Sequence, residues 1–201
     1  MEYGKAGGRT YHAHGESSKK SSKINRRTAC TFAFAVTCPS YLPAGANNRM
    51  DASTHTLLTG QTLLIRAAVP NDAAAVLAYV HAVSGETDFL GFGAGEFELT
   101  EAEEADVLRR YHEADNHLYL VGLVGEAIVA TITFAAGRRK RTRHSGEFGM
   151  SVRREYWGVG IGGAMLEALI AWARGSEVVT KLNLRVRSDN QRAIRLYASK
   201  G

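Results

Sequence analysis

The run WGVGIGG places Gly158, Gly160 and Gly162 alternately with Val159 and Ile161, directly ahead of an apolar helical repeat. A glycine turn that opens a helix gathers backbone N–H groups lacking intrahelical acceptors at the positive end of the helix dipole, and this suits a pyrophosphate. Further along, Asn190, Ala193 and Tyr197 follow one another at spacings of three and four residues and so share one face of a second helix. Tyr197 adds a proton donor to that face; taken alone, it reads equally as an amphipathic core residue with its hydroxyl at the rim. The two features together make an anion site with a nearby acid.

The same residues carry a resemblance to the GNAT superfamily of N-acetyltransferases. Motif A of that superfamily runs from a strand ending in an apolar residue to Arg or Gln, two residues, Gly, one residue, and Gly or Ala. The matching run here is Trp157, Gly158, Val159, Gly160, Ile161, Gly162. Trp157 stands in place of Arg or Gln, which removes one polar contact and leaves the turn intact. The resemblance implies acetyl-coenzyme A as co-substrate, with Trp157 at the entrance to the turn. The backbone amides of Gly158, Val159, Gly160, Ile161 and Gly162 would lie on its phosphates, and the backbone around Met150 and Val152 on its pantetheine and thioester. Asn190 and Ala193 would flank the pantetheine arm, and Tyr197 would protonate the departing thiolate.

For the amine proton, the resemblance points to a carboxylate on the strand before motif A, here Glu147, whose basicity would have to be raised by desolvation. The alternative for Glu147 is an exposed strand acid paired with an arginine. His144 is a second candidate base, although it abuts a basic loop and suits the surface. Arg153 and Arg154 read either as phosphate contacts or as a solvated pair.

Gly158, Gly160 and Gly163 also satisfy the dinucleotide fingerprint GxGxxG. That fingerprint requires its first glycine at the end of a strand, whereas Arg153 to Trp157 intervene here. It also requires further βα units for which the remaining chain is too short.

The elements that position these residues are legible from residue 62 onward. Thr62 to Ala67 reads as a strand, and Pro70 to Asp72 as a turn and N-cap before a helix reaching about Ser84. A loop, GETDFLGFGAGEFEL, leads to a capping box of Thr100 and Glu103 and a second helix ending near Asp115. Strands follow at 117–124, 127–135 and 147–152. Ile161, Met165, Leu169 and Trp172 trace one helical face, 182–187 alternates as a half-buried strand, and Asp189 reads as the cap of the final helix. The class is α+β, and the resemblance implies a mixed, mostly antiparallel central sheet flanked by helices. Family members continue into further strands beside the one at 180–187. The expectation is therefore a C-terminally truncated domain over 61–201 with its last strands missing and that edge open.

Charge divides the chain of 201 residues. Residues 1–60 carry eight Lys or Arg against three acids, and 61–201 carry 17 of each sign, so the net +5 belongs to the first stretch. That stretch, rich in Gly, Ser, Thr and Lys, shows no sustained period and reads as a disordered or leader tail, with Met50 as a working start. Both cysteines, Cys30 and Cys38, lie in it and match no metal signature, so no metal is expected. A cytoplasmic location and no membrane association are expected.

The expected partner is an amine acceptor, small molecule or protein, with a homodimer left open. Glu86, Asp88, Glu96, Glu98, Glu101, Glu103, Glu104 and Asp106 stand among no basic residues and would form an acidic rim for a cationic amine, with Phe89, Phe92 and Phe97 as an apolar wall. The bland reading makes the acids a helix-dipole complement and the phenylalanines core. A function of another class, RNA or ribosome binding with a degenerate coenzyme site, would rest on Arg138 to Arg143. The neutral balance of 61–201 disfavours nucleic acid.

Overall fold

The computed structural model describes residues 29–35 and 50–200. Seven strands form one sheet in the order β1-β7-β6-β5-β4-β3-β2. They are β1 (Ala29–Ala35), β2 (Ser53–Thr56), β3 (Thr62–Ala67), β4 (His117–Val124), β5 (Ala127–Ala136), β6 (Ser145–Val152) and β7 (Lys181–Arg187). Every pairing is antiparallel except that of β6 with β7. This is the α+β, mostly antiparallel architecture read from the sequence.

Helices α1 (Ala73–Ser84) and α2 (Glu101–Glu113) cover one face, and α3 (Ile161–Gly175) and α4 (Gln191–Ala198) the other. Alternation along the strands divides the core accordingly. Leu118, Leu120, Ile132 and Phe134 meet Ile161, Met165, Leu169 and Trp172 of α3. Val121, Leu123 and Ile128 meet Val76, Val80, Val83 and Leu108 of α1 and α2. The expected face of α3 is thus the buried one, and at about 1.5–3 kcal/mol per fully buried large apolar side chain it anchors the helix whose N-terminus carries the glycine turn.

The capping box forms as read: the Thr100 hydroxyl accepts from the Glu103 N–H, and the Glu103 carboxylate accepts from the Thr100 N–H at 2.8 Å. Asp72 sits at the start of α1 without capping it. It binds Arg66 through two bonds of 2.7 and 2.8 Å and accepts from the Val69 N–H. The final helix is capped by Asn190, not Asp189: the Asn190 Oδ1 accepts from the Ala193 N–H at 3.2 Å. Asp189 instead pairs with Arg187.

Two expectations about the sheet edge are corrected. The edge of β7 is not open, because β1 pairs along it from Ala29↔Arg187 to Ala35↔Lys181, and Phe34 is buried against Phe148 with centroids 6.3 Å apart. Among the described residues, β1 occupies the side of β7 where further strands were expected. The physical reason is that an unpaired strand edge accepts any extended segment that can reach it, whichever end of the sequence supplies it. The stretch 1–60, read as lacking regular structure, also contributes β2, and Leu58 in the β2–β3 turn donates its N–H to the Val159 carbonyl at 3.2 Å. No helix among the described residues is long and apolar enough to cross a membrane.

Candidate active site

Strands β6 and β7 pair only over Ser145–Glu147 and Lys181–Asn183, and beyond that point they diverge. The His144 carbonyl accepts from the N–H groups of Thr180 and Lys181, and the Gly146 carbonyl from the Asn183 side chain, whereas the Arg153 N–H points the other way, to Val129. By the two-residue period of a strand, the backbone groups of Phe148, Met150 and Val152 therefore face the divergent edge. The backbone groups of Met150 and the Val152 N–H on this edge have no strand partner and offer hydrogen bonds to an extended amide-bearing chain. The gap opens into a cavity of about 1290 Å³ that continues across the sheet to α2.

The glycine turn closes one end of this cavity. Gly158 and Gly160 have φ of +84° and +104°, and Gly160 is the N-cap of α3. The first intrahelical bond runs from the Ala164 N–H to the Gly160 carbonyl, so the N–H groups of Ile161, Gly162 and Gly163 precede the helical ladder and are free for an anion. Trp157, which departs from the motif, donates its Nε1–H to the Val152 carbonyl at 2.8 Å and ties the turn to the end of β6. Its ring carries two guanidinium groups, Arg154 at 5.8 Å and Arg192 at 4.6 Å from the centroid. Arg192 lines the cavity beside the turn, a cation that the sequence did not single out. Arg153 is committed elsewhere, to Glu86 at 2.7 Å, so of the arginine pair only Arg154 remains near the turn.

Helix α4 presents Asn190, Ala193 and Tyr197 to the cavity together. With its Oδ1 spent on the cap, Asn190 keeps its amide N–H groups for a ligand carbonyl. Tyr197 is buried, with Phe148 edge-on at 5.9 Å, and burial pushes its hydroxyl up to about 12. The phenol thus holds its proton at neutral pH.

On the other side of the sheet the floor is polar. The Tyr79 hydroxyl meets Ser151 Oγ at 2.8 Å, and Ser151 meets Thr131 Oγ1 at 3.3 Å. Burial pushes Tyr79 up to about 12. Glu147 lines the cavity from β6, but it is half exposed and pairs with Arg185 at 3.0 Å, which is the paired-acid arrangement. His144 does not line the cavity.

Phe89, Phe92 and Phe97 form a wall of the cavity, Phe92 and Phe97 with centroids 5.3 Å apart. Their loop is clasped to the strands at two points. Glu86 takes Arg153 and the Arg154 N–H, and Arg187 donates to the Asp88 carbonyl at 2.6 Å while its guanidinium lies 5.0 Å from the Phe89 centroid. The expected acidic rim contracts: of its eight acids only Glu104 reaches the cavity. Glu86 is ion-paired, Glu96 accepts from the Gly93 N–H, Glu103 is in the capping box and Asp106 pairs with Arg109. The loop 138–143 lies off the cavity, with Arg143 paired to Asp115. Among the described residues no cluster of three or more His, Cys, Asp or Glu could hold a metal.

Comparison with known proteins agrees with this geometry. The family model described as acetyltransferase (GNAT) family matches residues 86–201. The chain is similar to the solved GNAT-family acetyltransferase of Streptococcus pneumoniae, at 36% identity and a TM-score of 0.68 over 69% of this chain and 83% of that one. It is similar to the ribosomal-protein-alanine N-acetyltransferase of Brucella melitensis, at 25% identity and a TM-score of 0.59 over 68% and 82%. In fold it also matches the phosphinothricin acetyltransferase of Sinorhizobium meliloti solved with AcCoA, at 20% identity and a TM-score of 0.57 over 73% and 75%. No curated protein matches the sequence.

Proposed function

The chain belongs to the GNAT family of acetyltransferases and is an acyltransferase; from that premise we propose that it moves an acetyl group from acetyl-coenzyme A to a primary amine by direct attack in a ternary complex. The observation that carries this reading is the convergence on one cavity of the glycine-capped start of α3, the unpaired edge of β6 and the Tyr197 hydroxyl. The Sinorhizobium relative, of the same fold, binds AcCoA, and the donor set here suits the same molecule.

Acetyl-coenzyme A supplies an acyl group activated as a thioester. The N–H groups of Ile161, Gly162 and Gly163, with Gly158 and Val159 shaping the turn, bind the diphosphate, and Arg154 and Arg192, both near the Trp157 ring, add positive charge. The edge groups of Met150 and Val152 hold the pantetheine amides in extended form and orient the thioester carbonyl, while Asn190 and Ala193 line the other wall. As the N–C bond forms and the C–S bond breaks, the amine gives up a proton and the sulfur gains one. Tyr197 supplies the second from its hydroxyl. The first passes to solvent, with Glu147, held by Arg185 at the cavity wall, as its relay.

The acceptor is an amine of a small molecule or of a protein, the latter being the class named for the Brucella relative. Thiol release from acetyl-coenzyme A in the presence of an amine panel tests the reaction. Tyr197→Phe is expected to lower kcat about 100-fold while leaving acetyl-coenzyme A binding unchanged. Equal kcat in the variant would remove Tyr197 from the chemistry, and the absence of turnover with every amine would count against the transferase reading as a whole.

A further inference from the structure

The acceptor half of the cavity holds one carboxylate that no cation neutralises. Glu104, on the first turns of α2, is 2% exposed. It makes no side-chain hydrogen bond or ion pair among the described residues, and burial raises its pKa. Every fully enclosed side-chain nitrogen or oxygen among those residues has a partner, so the Glu104 oxygens remain at the surface of the cavity they line. A buried carboxylate is costly unless something pairs with it. The helix-dipole role that acids at an N-terminus serve is already filled by the exposed Glu101 and Glu103, and it gives no reason for burying a third.

The surroundings suit a cation. Tyr111, two turns along α2, and Tyr119 on β4 stand nearly perpendicular with centroids 5.6 Å apart. Phe92 and Phe97 line the same cavity. Aromatic faces around a carboxylate hold an ammonium by charge and by cation–π attraction together.

Position decides which positive group this is. Helix α2 packs on β4, and β6, where the thioester would lie, is two strands away in the sheet. At about 4.8 Å per strand, that is about 10 Å. The floor between them is Tyr119, Thr131, Thr133, Gly149 and Ser151, which a flexible chain can cross. Glu104 thus stands at the far end of the acceptor from the reacting nitrogen.

We propose that Glu104 is the specificity-determining residue of the acceptor site. Its carboxylate, walled by Tyr111, Tyr119, Phe92 and Phe97, receives a second, positively charged group of an acceptor whose neutral primary amine is presented at β6. The substrate class is therefore diamines and amines that carry a further cation. The inference rests on the acetyltransferase reading for the reaction, though not for the binding.

Calorimetry on the full chain saturated with coenzyme A separates the two. α,ω-Diamines from diaminobutane to diaminooctane are titrated against alkylamines of the same length, into the wild type and Glu104→Gln. The best diamine is expected to bind at least about tenfold tighter than its alkylamine, with that preference abolished in the variant and coenzyme A affinity unchanged. Unchanged coenzyme A affinity also reports that the variant is folded, and the wild-type comparison stands without it. Equal binding of diamine and alkylamine, or a preference that survives Glu104→Gln, overturns the proposal. Coenzyme A binding without diamine preference removes the inference and leaves the acetyltransferase reading standing. Glu104-dependent diamine binding by a protein that binds no coenzyme A does the reverse.

Discussion

Replacing Gly160 and Gly163 by alanine should move stability in opposite directions. Gly160 sits at φ +104°, and a Cβ built there meets no heavy atom within 4 Å. The cost of Gly160→Ala is therefore conformational and not steric. Holding an L-residue in left-handed backbone costs about 1–2 kcal/mol. Gly163, two residues into α3, has no positive φ, and its Cβ also meets nothing within 4 Å. Alanine there removes unfolded-chain freedom at a helical position and is worth about 0.5–1 kcal/mol of added stability. The two variants should thus differ by about 1.5–3 kcal/mol, and for a domain of this size each kcal/mol is about 2–4 °C in Tm. Thermal and urea denaturation of the wild type and both variants decide it. Shifts of the same sign, or an unchanged Gly160→Ala, would refute the argument that a left-handed cap sets the geometry of the anion site. The functional consequence is that Gly160→Ala weakens acetyl-coenzyme A binding by letting the turn relax away from the amides of Ile161 and Gly162.

Alkaline stability should fall because Tyr79 and Tyr197 are buried and each is pushed up to about 12. Between the ordinary tyrosine value of about 10 and that value, the unfolded chain loses protons that the folded chain keeps, so stability is full below about pH 10 and declines as pH rises. Each tyrosine contributes up to about 2.7 kcal/mol of that loss; urea titrations at rising pH measure it, and a flat profile to pH 12 would contradict it. Asp72 behaves oppositely: burial alone would raise it, but the Arg66 guanidinium and the Val69 N–H outweigh that and hold it below the usual carboxylate range. Its contribution is present above the ordinary carboxylate value and is lost as pH falls, and Asp72→Asn should cost about 1.5–3 kcal/mol at neutral pH, a cost that shrinks in acid denaturation series.

What the sequence made legible was whatever depends on near neighbours. The capping box needs only Thr100 and Glu103, the buried face of α3 only its own repeat, and the glycine turn only its φ requirements. What it hid depends on partners distant along the chain. Ala29–Ala35 is a short apolar run interrupted by Thr31, and only the edge of β7 turns it into a strand. Ser53–Thr56 is strand because β3 folds back on it. Glu147 and Arg185 stand far apart in sequence and adjacent in space, so the choice between a desolvated base and a paired acid lay with the fold. Glu104 sits among seven other acids that look alike in sequence, and the packing of α2 on β4 singles it out. Trp157 was legible as a departure from the motif, whereas its bond to Val152 and its stacking against Arg192 were not.

The central claim is that the start of α3 and the edge of β6 hold acetyl-coenzyme A. Calorimetric titration of acetyl-coenzyme A into the full chain, beside a Gly160→Glu variant that sets a carboxylate at the phosphate position, tests it most directly. The account predicts saturable binding at one site per chain in the wild type and its loss in the variant. Equal binding by Gly160→Glu, or no binding by a wild-type protein that unfolds cooperatively, would contradict it.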